Sequence, residues 1–196
     1  MKIGVLALQG DFREHIESVL SCGAEAFALN RVEQLSEIDG LIIPGGESTT
    51  ISKLAKTFGL FDPIKAAISS GLPTYGSCAG MIMLADEILE PASGQESFGG
   101  LNITVRRNAF GSQVDSFESD MEFEGVGSVR AIFIRAPWVE KAGEGVHVLA
   151  QVERNGQMHP VAVSSGAILA TSFHPEISGD NRIHAYFLDK FCKKVG

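Results

Sequence analysis

Two periods of apolar and polar positions divide the chain. Ile3-Gly4-Val5-Leu6-Ala7-Leu8 is a continuous apolar run, the mark of a strand covered on both faces. It stops at Gln9-Gly10. Phe12, Ile16, Val19 and Leu20 then recur at helical spacing as far as Gly23, and Asp11 with Glu14 three residues on predicts a capping box. Ala26 to Leu29 and Leu41-Ile42-Ile43 are further strand candidates, joined by an acidic connection from Glu33 to Asp39. The Pro44 to Thr50 turn leads into a helix through about Phe58, and a second helix runs from Asp62-Pro63 to Ser70. Pro73 to Gly76 is extended, and a helical apolar run follows from Met81. Strands alternating with helices imply parallel pairing and right-handed crossovers.

The second half changes period. After a loop-like Pro91 to Gly100 come the short alternating segments Leu101 to Val105, Met121 to Phe123 and Ala131 to Ile134. Val146 to Arg154 and Gln157 to Val163 flank Asn155-Gly156, a strong hairpin signal, so that pair is expected to be antiparallel. Ile168 to Phe173 predicts another strand and Asn181 to Lys193 a closing amphipathic helix. The expected fold is α/β: a mostly parallel central sheet flanked by helices, with added antiparallel strands, in a single domain over residues 1–196.

Composition narrows the function more by exclusion. A net charge of −8 speaks against nucleic acid or an anionic membrane as partner, since either favours a basic patch. No apolar run approaches the ~18 residues that a membrane helix needs. Cys22, Cys78 and Cys192 form no CxxC pair and no signal segment opens the chain, so a cytoplasmic setting is expected.

Gly76-Ser77-Cys78-Ala79-Gly80 is where chemistry concentrates. In an open α/β sheet, sites gather at the carboxyl ends of strands. A cysteine flanked by glycines between strand and helix is the thiol version of a nucleophile elbow, and a helix N-terminus favours the thiolate. A small buried cysteine in a glycine-rich turn is the alternative. A thiol nucleophile needs a base and the base an orienting acceptor. Ser172-Phe173-His174-Pro175-Glu176 offers both at another strand end, because in an extended backbone His174 and Glu176 point to one side. A polar strand cap beside a solvated charge would leave the same sequence. His15, His147, His159 and His184 have no such neighbour and are expected at the surface or in packing. Gly45-Gly46, with the Ala79 N–H, could donate to an oxyanion. A phosphate cradle is the other use of such a turn, but the chain lacks both G-x-x-x-x-G-K-[ST] and G-x-G-x-x-G.

These residues resemble the class I, triad-type glutamine amidotransferases. More narrowly, the chain is similar to the glutaminase subunits of two-component pyridoxal 5'-phosphate synthases. Residues 3–10, Pro44-Gly45-Gly46-Glu47-Ser48-Thr49-Thr50, Cys78-Ala79-Gly80-Met81, Arg107 to Glu118, Phe133-Ile134-Arg135-Ala136-Pro137 and Ser172 to Glu176 carry the likeness. It spans the chain, with Ala109 where serine is common and Ser77 where threonine is common. The resemblance implies Cys78 as nucleophile, His174 and Glu176 as the rest of the triad, and L-glutamine held against Gly46, Glu47, Ser48, Arg107, Ile134 and Arg135. It gives Gln9, with Gly45, Gly46 and Ala79, to the oxyanion turn and its activation. It implies no cofactor or metal, and a synthase subunit in a large hetero-oligomer as ammonia acceptor. A partner-independent cysteine hydrolase and a non-catalytic binding subunit are the rival readings; retention of Cys78, His174 and Glu176 argues against the second.

Overall fold

The structure is a computed structural model that describes residues 1–110 and 116–193. Its centre is a seven-stranded sheet in the order β10-β11-β12-β4-β3-β1-β2. Strands β1 (Lys2–Leu6), β2 (Glu25–Leu29), β3 (Gly40–Ile43), β4 (Thr74–Ser77) and β12 (Ile168–Thr171) run parallel, and β10 (His147–Arg154) and β11 (Gln157–Ser165) extend that block antiparallel. The apolar runs of β1, β3, β4 and β12 are buried on both faces, as continuous strand hydrophobicity requires.

Helices α1 (Phe12–Ser21), α2 (Ser48–Thr57), α3 (Phe61–Ser69), α4 (Ala79–Leu84), α5 (Pro175–Ser178) and α6 (Arg182–Phe187) complete the α/β arrangement. Two apolar clusters form the core. One joins Leu41, Ile43, Ile51, Ile64 and Met81, the other Ile3, Ile42, Tyr75, Phe133 and Phe187. A three-stranded sheet of β5 (Ala85–Leu89), β6 (Leu101–Arg106) and β9 (Trp138–Ala142) is separate from a hairpin of β7 (Ser116–Phe123) and β8 (Gly127–Ile134).

Several expectations change. Strand β5 follows the short helix α4 where a helical run was expected from Met81, and strand β9 lies where no element was expected. The acidic link between β2 and β3 contains a 3-10 turn, Val32–Glu37. The closing helix becomes π-helical over Leu188–Cys192. The capping box at α1 does not form: Asp11 makes no side-chain cap. Its carboxylate instead lies 3.6 Å from His174 Nδ1, and attraction to the imidazole competes with a neutral N–H. Within the Arg107 to Glu118 stretch, Gly111, Ser112, Gln113, Val114 and Asp115 lie outside the described residues.

Candidate active site

Cys78 follows β4 with φ 48° and ψ −102°, a backbone region disfavoured for any residue with a Cβ. Its surroundings explain how this persists. Cys78 N–H donates to Thr171 O of the adjacent β12 at 2.7 Å, and both flanking glycines are packed too closely for a side chain. A Cβ on Gly76 would sit 2.5 Å from Gly80 C, and one on Gly80 would collide with Ile43 O. The elbow is thus pinned by sheet and helix together. Cys78 Sγ lies 3.9 Å from Ile134 O.

His174 enters from the end of β12. Its own N–H is held by Ile132 O of β8 at 2.9 Å, and its ring lies against Gly45, where any Cβ would strike Cε1. Pro175 does not continue the strand, contrary to the extended geometry expected here. It occupies the first turn of α5, where its fixed φ and missing N–H cost little. That turn carries Glu176 back beneath the imidazole, and His174 Nδ1 and Glu176 Oε1 meet at 2.7 Å. Glu176 Oε1 accepts from Nδ1–H, which leaves Nε2 for the thiol.

Burial disfavours the charged imidazole, but hydrogen bonding with Cys78 and Glu176 and attraction to both outweigh it, raising His174 to about 10. Burial dominates at Glu176 and pushes its carboxyl up in spite of the imidazole. Both shifts describe one strong, buried proton-sharing contact. We place the proton on His174 Nδ1.

The thiol and imidazole open onto a cavity of about 400 Å³. Gln9, Gly46, Glu47, Ser48, Ala79, Arg107, Ile134 and Arg135 all line it, as do Cys78 and His174. Glu176 and Gly45 stand behind the imidazole, so every residue singled out in the sequence falls in or directly behind one cavity. Gln9 Oε1 accepts from Glu47 N–H at 2.7 Å and occupies the space that a Cβ on Gly46 would need, which ties the glycine turn to the end of β1.

Glu47 also caps α2, accepting from Thr49 N–H at 3.0 Å and Thr50 N–H at 2.8 Å. Burial pushes its carboxyl up, and these bonds more than offset that, so it stays below its ordinary value. Arg107 reaches Glu47 Oε1 at 3.5 Å and Gln95 Oε1 at 2.7 Å. Gln95, which no motif or period marked out, also donates from Nε2 to Ser48 Oγ at 2.9 Å. It links two cavity-lining side chains from a loop that separates β5 from β6. Among the described residues, Asp11, His174 and Glu176 place possible metal-ligand atoms within 4.8 Å of one another. Their two buried members are already paired, which fits an acid–base relay better than a vacant ligand set.

The SNO glutamine amidotransferase family matches residues 5–193. The chain belongs to that family. Among glutamine amidotransferases of this kind, it is 57% identical over 192 residues to the pyridoxal 5'-phosphate synthase subunit PdxT of Rhodococcus jostii, covering 95% of each chain. It is likewise 57% identical over 189 residues to PdxT of Streptomyces avermitilis, covering 95% of this chain and 92% of that protein. A crystal structure described as a glutamine amidotransferase superposes with a TM-score of 0.88 at 49% identity, over 95% of this chain and 97% of the other. PurLQS from Thermotoga maritima shares the fold, with a TM-score of 0.69 at 16% identity over 96% and 97% of the two chains. No helix among the described residues is long and apolar enough to cross a membrane.

Proposed function

We propose that this amidotransferase is the glutaminase subunit of a pyridoxal 5'-phosphate synthase, acting through residues 1–196 as one catalytic domain. The observation that carries the reading is the row Glu176–His174–Cys78, opening onto a cavity rimmed by Glu47, Arg107 and Arg135. The thiolate of Cys78 attacks the side-chain amide carbon of L-glutamine, and the carbonyl electron pair moves onto oxygen. Backbone N–H groups of the Gly45-Gly46 turn and of Ala79 receive that oxyanion, with Gln9 holding the turn. As the tetrahedral adduct collapses, His174 Nε2–H gives its proton to the departing nitrogen and ammonia leaves. Water then loses a proton to His174, adds to the glutamyl thioester and releases glutamate, restoring the thiolate and imidazolium. Glu176 keeps Nδ1 protonated throughout.

Arg107 or Arg135 suits the substrate carboxylate, Glu47 its ammonium group, and Ser48, Gly46 and Ile134 complete the enclosure. Free ammonia becomes ammonium in water and stops being a nucleophile, so the acceptor is a docked synthase subunit within a large hetero-oligomer. A nucleophilic thiol must stay reduced, which fits the cytoplasm. The test is glutamate release from glutamine by the chain alone, with the synthase subunit, and as Cys78→Ala. Release that requires both partner and thiol supports the proposal; release by Cys78→Ala refutes the nucleophile. Steady turnover unaffected by the partner refutes the coupling.

A further inference from the structure

Behind the catalytic row lies a buried polar group that the hydrolysis above does not use. His15 of α1 and His184 of α6 are fully buried, with His15 Nδ1 and His184 Nε2 2.9 Å apart. His15 Nε2 is 3.0 Å from Ser77 Oγ, next to the nucleophile, and 3.5 Å from Glu176 Oε2, the carboxylate oxygen turned away from His174. Among the described residues, Glu176 Oε2 and His184 Nδ1 are the buried side-chain polar atoms left without a hydrogen bond.

Counting protons decides how this group is arranged. Burial pushes His15 well below its ordinary value, with His184 and His174 adding to the effect, and burial takes His184 to about 4. Each ring is therefore neutral near pH 7 and carries one N–H. If His15 donated from Nδ1 to His184, its Nε2 lone pair would face a carboxylate and His184 Nδ1–H would have no acceptor. If His184 Nε2–H donates to His15 Nδ1, then His15 Nε2–H faces both Ser77 Oγ and Glu176 Oε2. Two acceptors, Glu176 Oε2 at 3.5 Å from that N–H and His184 Nδ1, then lack a full hydrogen bond, but no buried N–H does. A buried N–H without a partner and a lone pair against a carboxylate together cost more than two acceptors left short, one of which faces an N–H at 3.5 Å. The second arrangement prevails.

We infer that His15 is a positioning residue for the hydrolysis: its Nε2–H, set by His184, steadies the inner oxygen of Glu176 so that the outer oxygen stays on His174. The inference rests on the proposed glutaminase reaction. The other groups around His15 fit the role: Tyr75 stands edge-on at 6.0 Å between ring centroids, and its hydroxyl is engaged with Thr171 Oγ1 at 2.9 Å.

The first experiment uses the unaltered chain. Long-range proton–nitrogen NMR of the imidazoles is expected to find His15 and His184 both protonated at Nε2 near pH 7; a proton on His15 Nδ1 overturns the inference. The second measures glutaminase kinetics with the synthase subunit. His15→Leu is expected to lower kcat about tenfold to a hundredfold, the range found when the outer partner of a metal-bound histidine is lost, with KM within about twofold. His15→Gln, whose amide nitrogen can stand near the Nε2 position, is expected to recover most of kcat. Equal losses in the two variants at matched folding, or wild-type kcat in His15→Leu, overturn the role; if His15→Leu does not fold, the NMR result decides. Absence of glutamate release by the unaltered pair would instead refute the glutaminase reading, and the tautomers would still stand or fall on their own.

Discussion

At Gly45 the space for a side chain is already filled by the His174 ring. Gly45→Ala is therefore expected to displace the imidazole from its 2.7 Å contact with Glu176 and lower kcat by about a hundredfold or more, as small misplacements of catalytic groups do. A variant with wild-type kcat in the synthase-coupled assay would show that the turn yields instead. Gln95 makes a different prediction, because it touches Arg107 and Ser48 but neither Cys78 nor His174. Gln95→Leu is expected to raise KM for glutamine by about tenfold with kcat within about twofold, the signature of lost uniform binding. A fall confined to kcat would move Gln95 out of the substrate cradle and into the catalytic row.

The elements separate what pattern could reveal from what only packing decides. The β1, β3 and β12 runs and the Asn155-Gly156 hairpin were legible because buried parallel strands are continuously apolar and tight hairpins need positive φ. Asn155 and Gly156 have φ 53° and 74°. Asn155→Val is accordingly expected to cost about 1–2 kcal/mol in chemical denaturation with kcat unchanged; no loss would mean that the turn changes type. Strands β5 and β9 were not legible: Ala85–Leu89 and Trp138–Ala142 carry consecutive exposed charges, Asp86-Glu87 and Glu140-Lys141, that break a period of two, and their pairing comes from β6 between them. That Cys78, His174 and Glu176 belong together was legible in the sequence, but their geometry was not. Extended backbone was expected at Pro175, whereas the chain turns helical there and still delivers Glu176 to Nδ1. His15 and His184 looked like ordinary helical polar positions, since nothing in a 3.6-residue period tells that α1 and α6 bury those faces against β4.

For the molecule as a whole, these buried histidines set the pH range of stability. His184 falls from an ordinary 6.5 to about 4 in the folded chain, so between those values the unfolded chain binds more protons. Its contribution is fully present above about pH 6.5 and is lost as pH falls toward 4, up to about 3 kcal/mol from this group. His15 is shifted the same way. His174 has the opposite sign: raised to about 10, it adds stability below about pH 6.5 that is lost as pH climbs toward 10, and the upward shift of Glu176 likewise disfavours its ionised form on folding. Glu47 and Asp180 are held below their ordinary carboxylate values and titrate at lower pH, so a comparison of pH 6.5 with pH 5 reads mainly the histidines, with the raised Glu176 acting in the opposite sense to His184. The urea midpoint of the unaltered chain is expected to fall between those two pH values. His184→Leu, whatever its absolute stability, is expected to show a clearly smaller fall, because the group that must be charged on unfolding has gone. Equal slopes in the two chains would mean that His184 ionises without unfolding the protein, and the buried pair would then open locally in acid while the sheet around Cys78 stayed intact.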